Sequence, residues 1–510
     1  MGTFESLMHG FSVVFTATNL AYCLLGVVIG TIIGLLPGLG PVAVIALLLP
    51  VTFNLEPATG IIMLAGIYYG AMYGGRIPSI LIGIPGDGPA IIATLDGYPL
   101  AKEGRAGSAL GISAIGSFIG GSVSLIGLAF LAVPLARFAG SIGAPEIFLL
   151  AAAGLSLIVF IGSGSKLKSA LMAALGLLLA TIGIDPIEGT VRLTGGSVGL
   201  MGGLNIVAIA VGLFGLGDVL FRAEKPAENI DGSLKITNIF PSMQDWIMTR
   251  AAIARSSIVA FFAGVMPGGG GTLGAVVSYA TQRKFSKQPE KFGKGAIDGL
   301  AAAETGDNGS AVSSFIPLLT LGLPPNPALA LIFGALLLQN VTPGPQLVDE
   351  HPDVFWGVIA SLIIGNVILL ILNLPMIRVF VQLLRIRGSI LAPIIVVVSL
   401  AGVYSVQHSM FDVGVAVAFG VLGYLLKKFE YDLGPLILAF ILGPILEAEF
   451  RRTMLLSHGS FDIFFLRPVS AVLVGLIFVA VVAPQVRRLL TRRRRDEETR
   501  NIKDLESERT

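Results

Sequence analysis

The sequence is short of charge for a chain of its length. Of its 510 residues only 13% are charged, whereas 54% are hydrophobic and the mean hydropathy is +0.85. A soluble domain carries roughly 25% charged residues, so about half of the expected charge is missing. The 65 glycines would destabilise the helices of a soluble protein, yet glycine is frequent where membrane helices pack closely. The composition therefore indicates a polytopic membrane protein.

Other absences argue against further classes of site and of protein. A single cysteine, Cys23, excludes an internal disulfide, and in its apolar run a packed thiol is expected. No Gly-x-x-x-x-Gly-Lys-Ser/Thr phosphate loop is present, which disfavours an ATP-driven pump. The histidines are scattered, which argues against a haem or metal site, so no cofactor is expected; they are His9, His351, His408 and His458.

Basic residues are missing from the start of the chain. No Lys or Arg precedes Arg76, so the N-terminus lacks the basic region of a secretory signal. They accumulate at the other end, in Arg487-Arg488 and Arg492–Arg495. A basic cluster beside a final apolar span favours a cytoplasmic C-terminus in an inner membrane. Nucleic acid is not an expected partner; the lipid bilayer is.

Apolar spans recur throughout, and a crossing helix needs about 20 residues. This predicts an all-α polytopic membrane protein with roughly 10–12 transmembrane segments. The spans lie near 11–36, 42–51, 59–72, 108–134, 145–162, 167–184, 200–221, 251–266, 301–323, 327–339, 355–380, 389–406, 411–426, 433–447 and 464–486. The predicted organisation is a first repeat over 1–221, a polar linker over 222–250, a second repeat over 251–486 and a charged cytoplasmic tail over 487–510.

Two phrases rich in glycine and proline each occur twice. Pro37 and Pro267 stand 230 residues apart, and Pro85 and Pro324 stand 239 apart, which indicates two structural halves. Such breaks free backbone N–H and C=O groups, and a membrane tolerates them only where they are buried or line a cavity. Paired interrupted segments point to the substrate site of a transporter. The four phrases are Gly34–Pro41, Gly83–Ala90, Gly264–Gly271 and Gly322–Ala328.

Loop charges predict that the two halves are inverted. Residues 52–58 contain no Lys or Arg, whereas the corresponding loop, 283–294, contains five. After the second break the bias reverses, because 96–107 is basic and 340–354 is not. Since basic loops mark the cytoplasmic side, corresponding loops face opposite sides. Arg451-Arg452 does not fit this scheme. The same reasoning predicts re-entrant hairpins with tips at 37–41 and 267–271.

The breaks carry the predicted chemistry. A broken helix presents N–H groups and a positive dipole end to a carboxylate, and Arg76 offers a bidentate fork beside Gly74-Gly75. The alternative is a structural arginine paired with an acid. The predicted substrate-binding residues are Gly38, Gly40, Arg76, Ser79, Pro85, Gly86, Asp87, Gly268, Gly270, Thr320, Pro324 and Asn326.

Ionisable residues inside a span are costly and indicate function. Glu304-Thr-Gly-Asp-Asn308 is expected to interrupt its span and to occupy the region that matches Asp87 in the other half. The predicted ion-binding residues are Glu304, Asp307, Asn308 and Ser310, with Na⁺ or H⁺ as the coupling ion; hydrogen bonding across helices is the alternative role. Asp96 is expected to cap a helix or a loop.

Six motifs occur along the chain: Gly34–Pro41, Tyr73-Gly-Gly75, Ser79–Gly86, Asp96-Gly-Tyr-Pro99, Ile316–Pro324 and Phe440–Glu447. They resemble those of the large membrane subunit of tripartite tricarboxylate transporters. The resemblance runs from the first span to the last, with the motifs in family order. Two positions differ from the family's usual pattern and bear on the substrate and the ion: Pro325-Asn326-Pro327 replaces small residues, and Gly306-Asp307 replaces Ser/Ala-Asn.

The resemblance implies a bacterial inner-membrane symporter that takes di- or tricarboxylates from a periplasmic solute-binding protein. It also implies a small membrane subunit as a partner and an ion gradient, usually of Na⁺, as the driving force. No enzymatic activity is implied.

Two other classes remain as alternatives. A cation/proton antiporter is compatible with the composition, although Arg76 in the broken region favours an anionic solute. An intramembrane aspartyl protease would use Gly215-Leu-Gly-Asp218, Tyr431-Asp432 and Pro327-Ala-Leu329, but here these phrases stand in the wrong order for that class.

Overall fold

The computed structural model describes residues 2–36, 40–161, 165–185, 187–224, 239–266, 268–377, 379, 388–475 and 477–478. Gly38, a predicted site residue, lies outside the described residues, as do Pro37, Pro267 and the charged tail from 487. The described chain is helical almost throughout.

The elements before residue 225 are α1 (Thr3–Val14), α2 (Ala17–Gly34), α3 (Pro41–Thr52), α4 (Pro57–Ile82), α5 (Ala90–Leu100), a π-helical turn (Ala101–Arg105), α6 (Ala106–Ser141), α7 (Ala144–Ile161), α8 (Lys166–Ala180), β1 (Gly183–Ile184), β2 (Val191–Arg192), α9 (Ile206–Ala210), a second π-helical turn (Val211–Leu216) and α10 (Gly217–Ala223). Four of these helices, α2 to α5, surround the first two breaks. The two strands pair antiparallel, with Gly183 opposite Arg192.

The elements after residue 238 repeat the pattern of helices broken by glycine and proline. They are α11 (Met243–Val265), α12 (Gly271–Phe285), α13 (Ile297–Ser313), α14 (Phe315–Leu321), α15 (Pro327–Leu338), α16 (Leu347–Glu350), α17 (Pro352–Asn373), α18 (Gly388–Gln407), α19 (Met410–Lys428), α20 (Gly434–Leu456) and α21 (Ile463–Leu466).

The chain is an all-α polytopic membrane protein. By length and composition, six helical stretches of the described residues can cross a membrane: Ala17–Gly34, Ala90–Ser141, Ile206–Ala223, Met243–Val265, Pro352–Asn373 and Met410–Lys428. Shorter apolar helices accompany them, among them α3 and α15. Each of these two has 12 residues and is about 18 Å long, too short to cross a bilayer alone.

Two buried helices, α4 and α13, form the centre of the molecule. Small residues let their neighbours approach closely. A Cβ at Gly30 of α2 would lie 2.9 Å from the Cα of Ile67 on α4, and one at Gly70 would lie 2.9 Å from the amide nitrogen of Thr31. In the second half, Ser314 donates a hydrogen bond to the carbonyl of Gly264 at 3.2 Å, which ties α11 to the central helix. Close backbone packing of this kind is typical of membrane helices.

Helix α4 and helix α14, which follows α13, end in the same way. Gly83 ends α4 with φ +70°, and Gly322 ends α14 with φ +68°. Glycine adopts this left-handed conformation without the steric cost of a Cβ. The two residues stand 239 apart, the spacing of Pro85 and Pro324, so the repeated phrase has a repeated geometry.

Three local predictions are wrong. The segment Glu304–Asn308 does not interrupt its span but lies inside continuous α13, because its polar side chains find partners on α6 while the helix keeps its backbone bonds. The polar stretch up to residue 250 is not all linker, since α11 begins at Met243, where Ser242 and Asp245 form a capping box. The span predicted to reach 184 ends at Ala180, and β1 follows.

Candidate carboxylate and cation site

Four helices begin at the four breaks, and their first residues meet. These helices are α3, α5, α12 and α15. A Cβ at Gly88 would lie 3.5 Å from Thr272 Oγ1, and a Cβ at Gly271 would lie 3.0 Å from Pro89 Cγ, so the second and third breaks touch. Each helix start carries backbone N–H groups and the positive end of the helix dipole. The breaks therefore surround one polar region inside an apolar molecule.

Asp87 and Asn326 occupy equivalent positions, 239 residues apart. Asp87 Oδ1 accepts a hydrogen bond from the amide of Ala90 at 3.0 Å, at the start of α5. Asn326 Oδ1 accepts one from the amide of Leu329 at 3.0 Å, at the start of α15. The residue that matches Asp87 in the second half is thus Asn326, and not the Glu304–Asn308 segment that the sequence suggested.

The equivalence extends to the other breaks. A Cβ at Gly40 would lie 3.7 Å from the Cβ of Asp87, and one at Gly270 would lie 3.6 Å from the Cβ of Asn326. Gly40 and Gly270 stand 230 residues apart, the spacing of Pro37 and Pro267. The same arrangement of glycine and capping side chain therefore occurs twice, once with an acid and once with an amide.

A residue of the opposite half adjoins each cap. Asp307 of α13 lies against Gly271, where a Cβ would collide with its Oδ1, and its carboxylate interacts electrostatically with Asp87. Asn326 Nδ2 donates to the hydroxyl of Tyr68, from α4, at 3.3 Å. We name Gly40, Asp87 and Asp307 the acidic cap, and Gly270, Asn326 and Tyr68 the neutral cap.

Arg76 lies next to the acidic cap on α4, and only 1% of its surface is exposed. Its Nη1 donates to Ser117 Oγ at 3.2 Å and lies 3.9 Å from Glu304 Oε2. The ring of Tyr73 covers its guanidinium, with 4.7 Å between Cζ and the ring centroid. Nε and Nη2 have no hydrogen-bond partner among the described residues. These two groups form one edge of the guanidinium, the edge that grips a carboxylate with two parallel bonds.

Two serines of α6 organise the polar face of α13. Ser113 donates to Glu304 Oε2 at 2.9 Å, and Ser117 accepts from Asn308 Nδ2 at 2.8 Å. Glu304, Asp307 and Asn308 stand three and four residues apart, so they share one helix face. This face is buried against α4 and α6.

The site has unmatched acceptors and excess negative charge. Among the described residues, Asp87 Oδ2, Asp307 Oδ1 and Asn308 Oδ1 are buried without a hydrogen-bond partner. One arginine faces three acids, Asp87, Glu304 and Asp307, a formal excess of two negative charges when all are ionised. Buried charge of this size needs positive partners. The arrangement can therefore hold a cation near the acids and a carboxylate on Arg76.

Comparison with known proteins decides the family. The model of the tripartite tricarboxylate transporter TctA family matches residues 20–438. The chain belongs to this family. A protein of Agrobacterium vitis, described as an uncharacterized 52.8 kDa protein in the TAR-I ttuC' 3'region, is 43% identical over 490 residues, 96% of this chain and 98% of its own length. No solved structure matches.

Two further relatives cover less of this TctA-family chain. An uncharacterized protein in the TAR-II ttuC' 3'region of Agrobacterium vitis is 46% identical over 219 residues, which is 43% of this chain and 90% of its own length. An uncharacterized protein of Methanocaldococcus jannaschii is 33% identical over 117 residues, 22% of this chain and 28% of its own length.

Not all predicted site residues of this TctA-family chain meet at the breaks. Ser79 and Thr320 donate to carbonyls of their own helices, Gly75 and Ile316, at 2.9 and 2.8 Å. Gly268 faces α7, because a Cβ there would lie 2.7 Å from the Cβ of Leu157. These hydroxyls and this glycine serve packing in the described structure.

The other predicted residues lie at or beside the caps. Gly86 donates to the carbonyl of Gly75 at 3.2 Å and so closes the second break onto α4. The Ser310 hydroxyl lies 3.1 Å from the carbonyl oxygen of Gly270 and 2.7 Å from that of Gly306 in its own helix, so α13 packs directly against the third break. Pro85 and Pro324 follow the left-handed residues that end α4 and α14.

Sequence reasoning missed four contributors: Ser113, Ser117, Tyr68 and Tyr73. The two serines stand four residues apart within an apolar span, a spacing that places both on one face of α6. That spacing was the available signal. Tyr73 stands in the motif Tyr73-Gly-Gly75 but was assigned no role, and Tyr68 gave no signal, because aromatic residues are common in apolar helices.

Two other locations are weaker candidates for the binding site. A cavity of about 660 Å³ lies by the β1–β2 hairpin, but the charged groups in its wall, among them Arg192 and Glu447, pair with each other at 2.7 Å. Asp218, the aspartate of the protease alternative, pairs with Lys427 and Arg222. In the cavity wall Arg192 Nε is also buried without a partner among the described residues, but the charged groups of both locations are paired, and neither location lies at the glycine–proline breaks.

Proposed function

We propose that the chain is the large membrane subunit of a tripartite transporter and carries a di- or tricarboxylate across the bacterial inner membrane by symport with Na⁺. Membership of a tricarboxylate transporter family supports the substrate class. The observation that carries the proposal is the buried edge of Arg76, whose Nε and Nη2 lack partners among the described residues.

The substrate carboxylate is proposed to bind Nε and Nη2 of Arg76, which have no partner in the described part of the chain. Two parallel N–H groups on a buried guanidinium fit one carboxylate with two hydrogen bonds. The starts of α12 and α15 add N–H groups and dipole ends that favour an anion. Asn326 can donate through its amide without adding charge. A second carboxylate of the same substrate would reach a different helix start.

The coupling cation is proposed to bind the acidic cap. Asp87 Oδ2, Asp307 Oδ1 and Asn308 Oδ1 are buried oxygens without hydrogen-bond partners in the described chain, and oxygens are the ligands that Na⁺ takes at broken helices. Ser310 adjoins them. A cation there would reduce the excess negative charge and so favour the entry of an anionic substrate. This electrostatic dependence is the basis of the proposed coupling, with H⁺ as the alternative ion.

The two halves are proposed to be inverted repeats that move against each other in alternating access. The repeated caps at spacings of 230 and 239 residues support two related halves over 1–221 and 251–486. The loop charges support inversion and a cytoplasmic C-terminus. A periplasmic solute-binding protein is proposed to deliver the carboxylate, and a small membrane subunit to complete the transporter.

Uptake into proteoliposomes tests the function. The full chain is reconstituted with the small membrane subunit and binding protein from its genomic neighbourhood, and labelled citrate, succinate and tartrate are supplied under an inward Na⁺ gradient. We expect uptake that collapses when choline replaces Na⁺. Uptake that follows only a proton gradient would replace Na⁺ by H⁺. Exchange of Na⁺ for H⁺ without carboxylate uptake would favour the antiporter and overturn the proposal.

A further inference from the structure

The ion pair between Arg76 and Glu304 is longer than the shortest ion pair of each other paired arginine among the described residues. Its nitrogen–oxygen distance is 3.9 Å, although both side chains are 98% or more buried. Arg105 and Asp245, at a more exposed position, approach to 2.6 Å. A buried pair offsets the loss of hydration only with close geometry, so the long distance at the most buried arginine requires a cause.

Ser113 and Ser117 hold the two charges apart. Ser113 donates to Glu304 Oε2, the oxygen that faces Arg76, at 2.9 Å. Ser117 takes the bond from Arg76 Nη1 at 3.2 Å that the carboxylate would otherwise accept. Both serines belong to α6, a third helix, whose hydroxyls bond to Arg76 of α4 and to Glu304 of α13.

We infer that Glu304 competes with the substrate carboxylate for Arg76, so that its position on Ser113 sets the substrate affinity. The inference deepens the proposed function and rests on Arg76 as the carboxylate site. A carboxylate beside the guanidinium offsets part of its positive charge, so the guanidinium attracts a second carboxylate less strongly. Glu304 is then a positioning residue that acts through Arg76, and not a ligand of the coupling cation.

The surrounding charges support this assignment. Asp307 and Asp87 lie on the cap side of Arg76, and the hydroxyls of Tyr69 and Tyr73 bond to Asn366 at 2.7 and 3.0 Å. The Glu304 carboxylate lies between Arg76 and α6, where Ser113 donates to it at 2.9 Å. It is therefore the acid whose removal changes Arg76 most directly, since it forms the ion pair at 3.9 Å; its removal also reduces the negative charge around Asp87 and Asp307 without removing a cap residue.

Direct binding of ¹⁴C-citrate to the purified full chain in nanodiscs tests the inference, by scintillation proximity in choline and in Na⁺ buffer. We expect Glu304→Gln to raise the citrate affinity at least about tenfold in choline buffer. Glu304→Asp keeps the charge but withdraws it from Arg76 by one methylene, so a smaller gain is expected. The affinity order is Gln above Asp above the native chain.

A merely structural Glu304 gives the reverse order. In that case Glu304→Gln binds citrate more weakly than the native chain, Glu304→Asp lies between them, and the competition is overturned. Should Glu304→Gln fail to fold, the sign of the change in Glu304→Asp decides. Arg76→Ala separates the two proposals: if it loses binding while both Glu304 variants show no gain, only the competition fails. If it binds citrate like the native chain, the carboxylate site itself fails.

Discussion

The acidic cap and the neutral cap share a backbone arrangement and differ in charge. In both, a glycine that precedes a helix packs against a side chain that caps the next helix: a Cβ added to Gly40 would lie 3.7 Å from the Cβ of Asp87, and one added to Gly270 would lie 3.6 Å from the Cβ of Asn326. The first adds Asp307 and the second adds Tyr68. The same backbone arrangement thus carries an acid in one half and an amide in the other, and Asp307 lies close to both, against Gly271 and near Tyr68 and Asp87. In the proposed function the acids bind the cation and the uncharged donors bind the carboxylate.

The largest effect is expected when the neutral cap is made acidic. Asn326→Asp keeps the size and the cap bond to Leu329 but adds a negative charge. Two like charges about 5 Å apart, at an effective dielectric constant near 20, repel by about 3 kcal/mol, a factor of about 100 in affinity. Citrate binding should fall about a hundredfold in the nanodisc assay. Asn326→Ser, which keeps the cap without charge, is the control, and equal losses in both variants would contradict the charge argument.

Making the acidic cap neutral should remove the cation and not the carboxylate. Asp307→Asn is expected to weaken Na⁺ binding by about tenfold or more, because one carboxylate ligand and its charge are lost. Isothermal titration with NaCl in the absence of substrate measures this. Asp298→Asn, at the other end of α13, supplies the matched control. Unchanged Na⁺ affinity in Asp307→Asn would place the cation elsewhere.

A third acid, Asp96, shows how a buried carboxylate behaves when it is fully bonded. Its Oδ1 accepts four backbone N–H groups from Gly293 to Ala296 at 2.8–3.1 Å, and its Oδ2 accepts from Tyr279 at 2.8 Å. Asp96→Ala leaves those donors unpaired and should lower the free energy of unfolding by about 3 kcal/mol or more.

Thermal unfolding of purified protein measures that loss, and Thr94→Ala on the exposed face of α5 is the control. The remaining folded Asp96→Ala protein should keep the Na⁺ dependence of uptake. A selective loss of Na⁺ dependence at normal stability would mean that Asp96 belongs to the site and not to the clamp between α5 and the loop before α13.

The smallest effect is expected at the hairpin, where charges pair with each other. Hydrogen bonds from the backbone of Ile187, and then Arg192 and Arg451, lower the pKa of Asp185 below its ordinary value of 3.8. A depressed pKa contributes stability above pH 3.8 that is lost as the pH falls through the folded value. Asp185→Asn should therefore melt slightly below the native chain at pH 7, and the difference should shrink as the pH falls below 3.8, with uptake unchanged. Reduced uptake at pH 7 would give the hairpin a role in transport.

The sequence predicted the breaks but not every consequence of them. The glycine–proline phrases, their spacings and the importance of Arg76 follow from local rules about helices in membranes. The match of Asp87 with Asn326 is also visible in the spacing of 239 residues, although Glu304–Asn308 forms a second polar segment in the same half that fits the match by composition. That run stays helical because Ser113 and Ser117, about 190 residues away in sequence, satisfy its side chains.

Hydrogen-bond and ion-pair partners that are distant in sequence could not be predicted from such local rules. Asp96 was expected to cap a helix or a loop, and it does bind the amides just before α13, but these lie about 200 residues further along the chain and could not be identified from the sequence. Arg451 did not fit the charge bias of the loops. Its guanidinium bonds Asp185 at 3.0 Å and Glu447 at 2.8 Å, so its charge is balanced within the protein. Loop-charge rules count residues and do not see such pairs.

Binding of ¹⁴C-citrate to Arg76→Ala and Arg76→Lys, beside the native chain, tests the central assignment most directly. The alanine variant removes the guanidinium, and the lysine variant keeps the charge without the two-pronged edge. We expect a loss of about a hundredfold or more in Arg76→Ala and a partial loss in Arg76→Lys, while Na⁺ binding at the acidic cap persists. Citrate affinity equal to that of the native chain in Arg76→Ala, in protein of normal stability, would contradict a carboxylate site on Arg76.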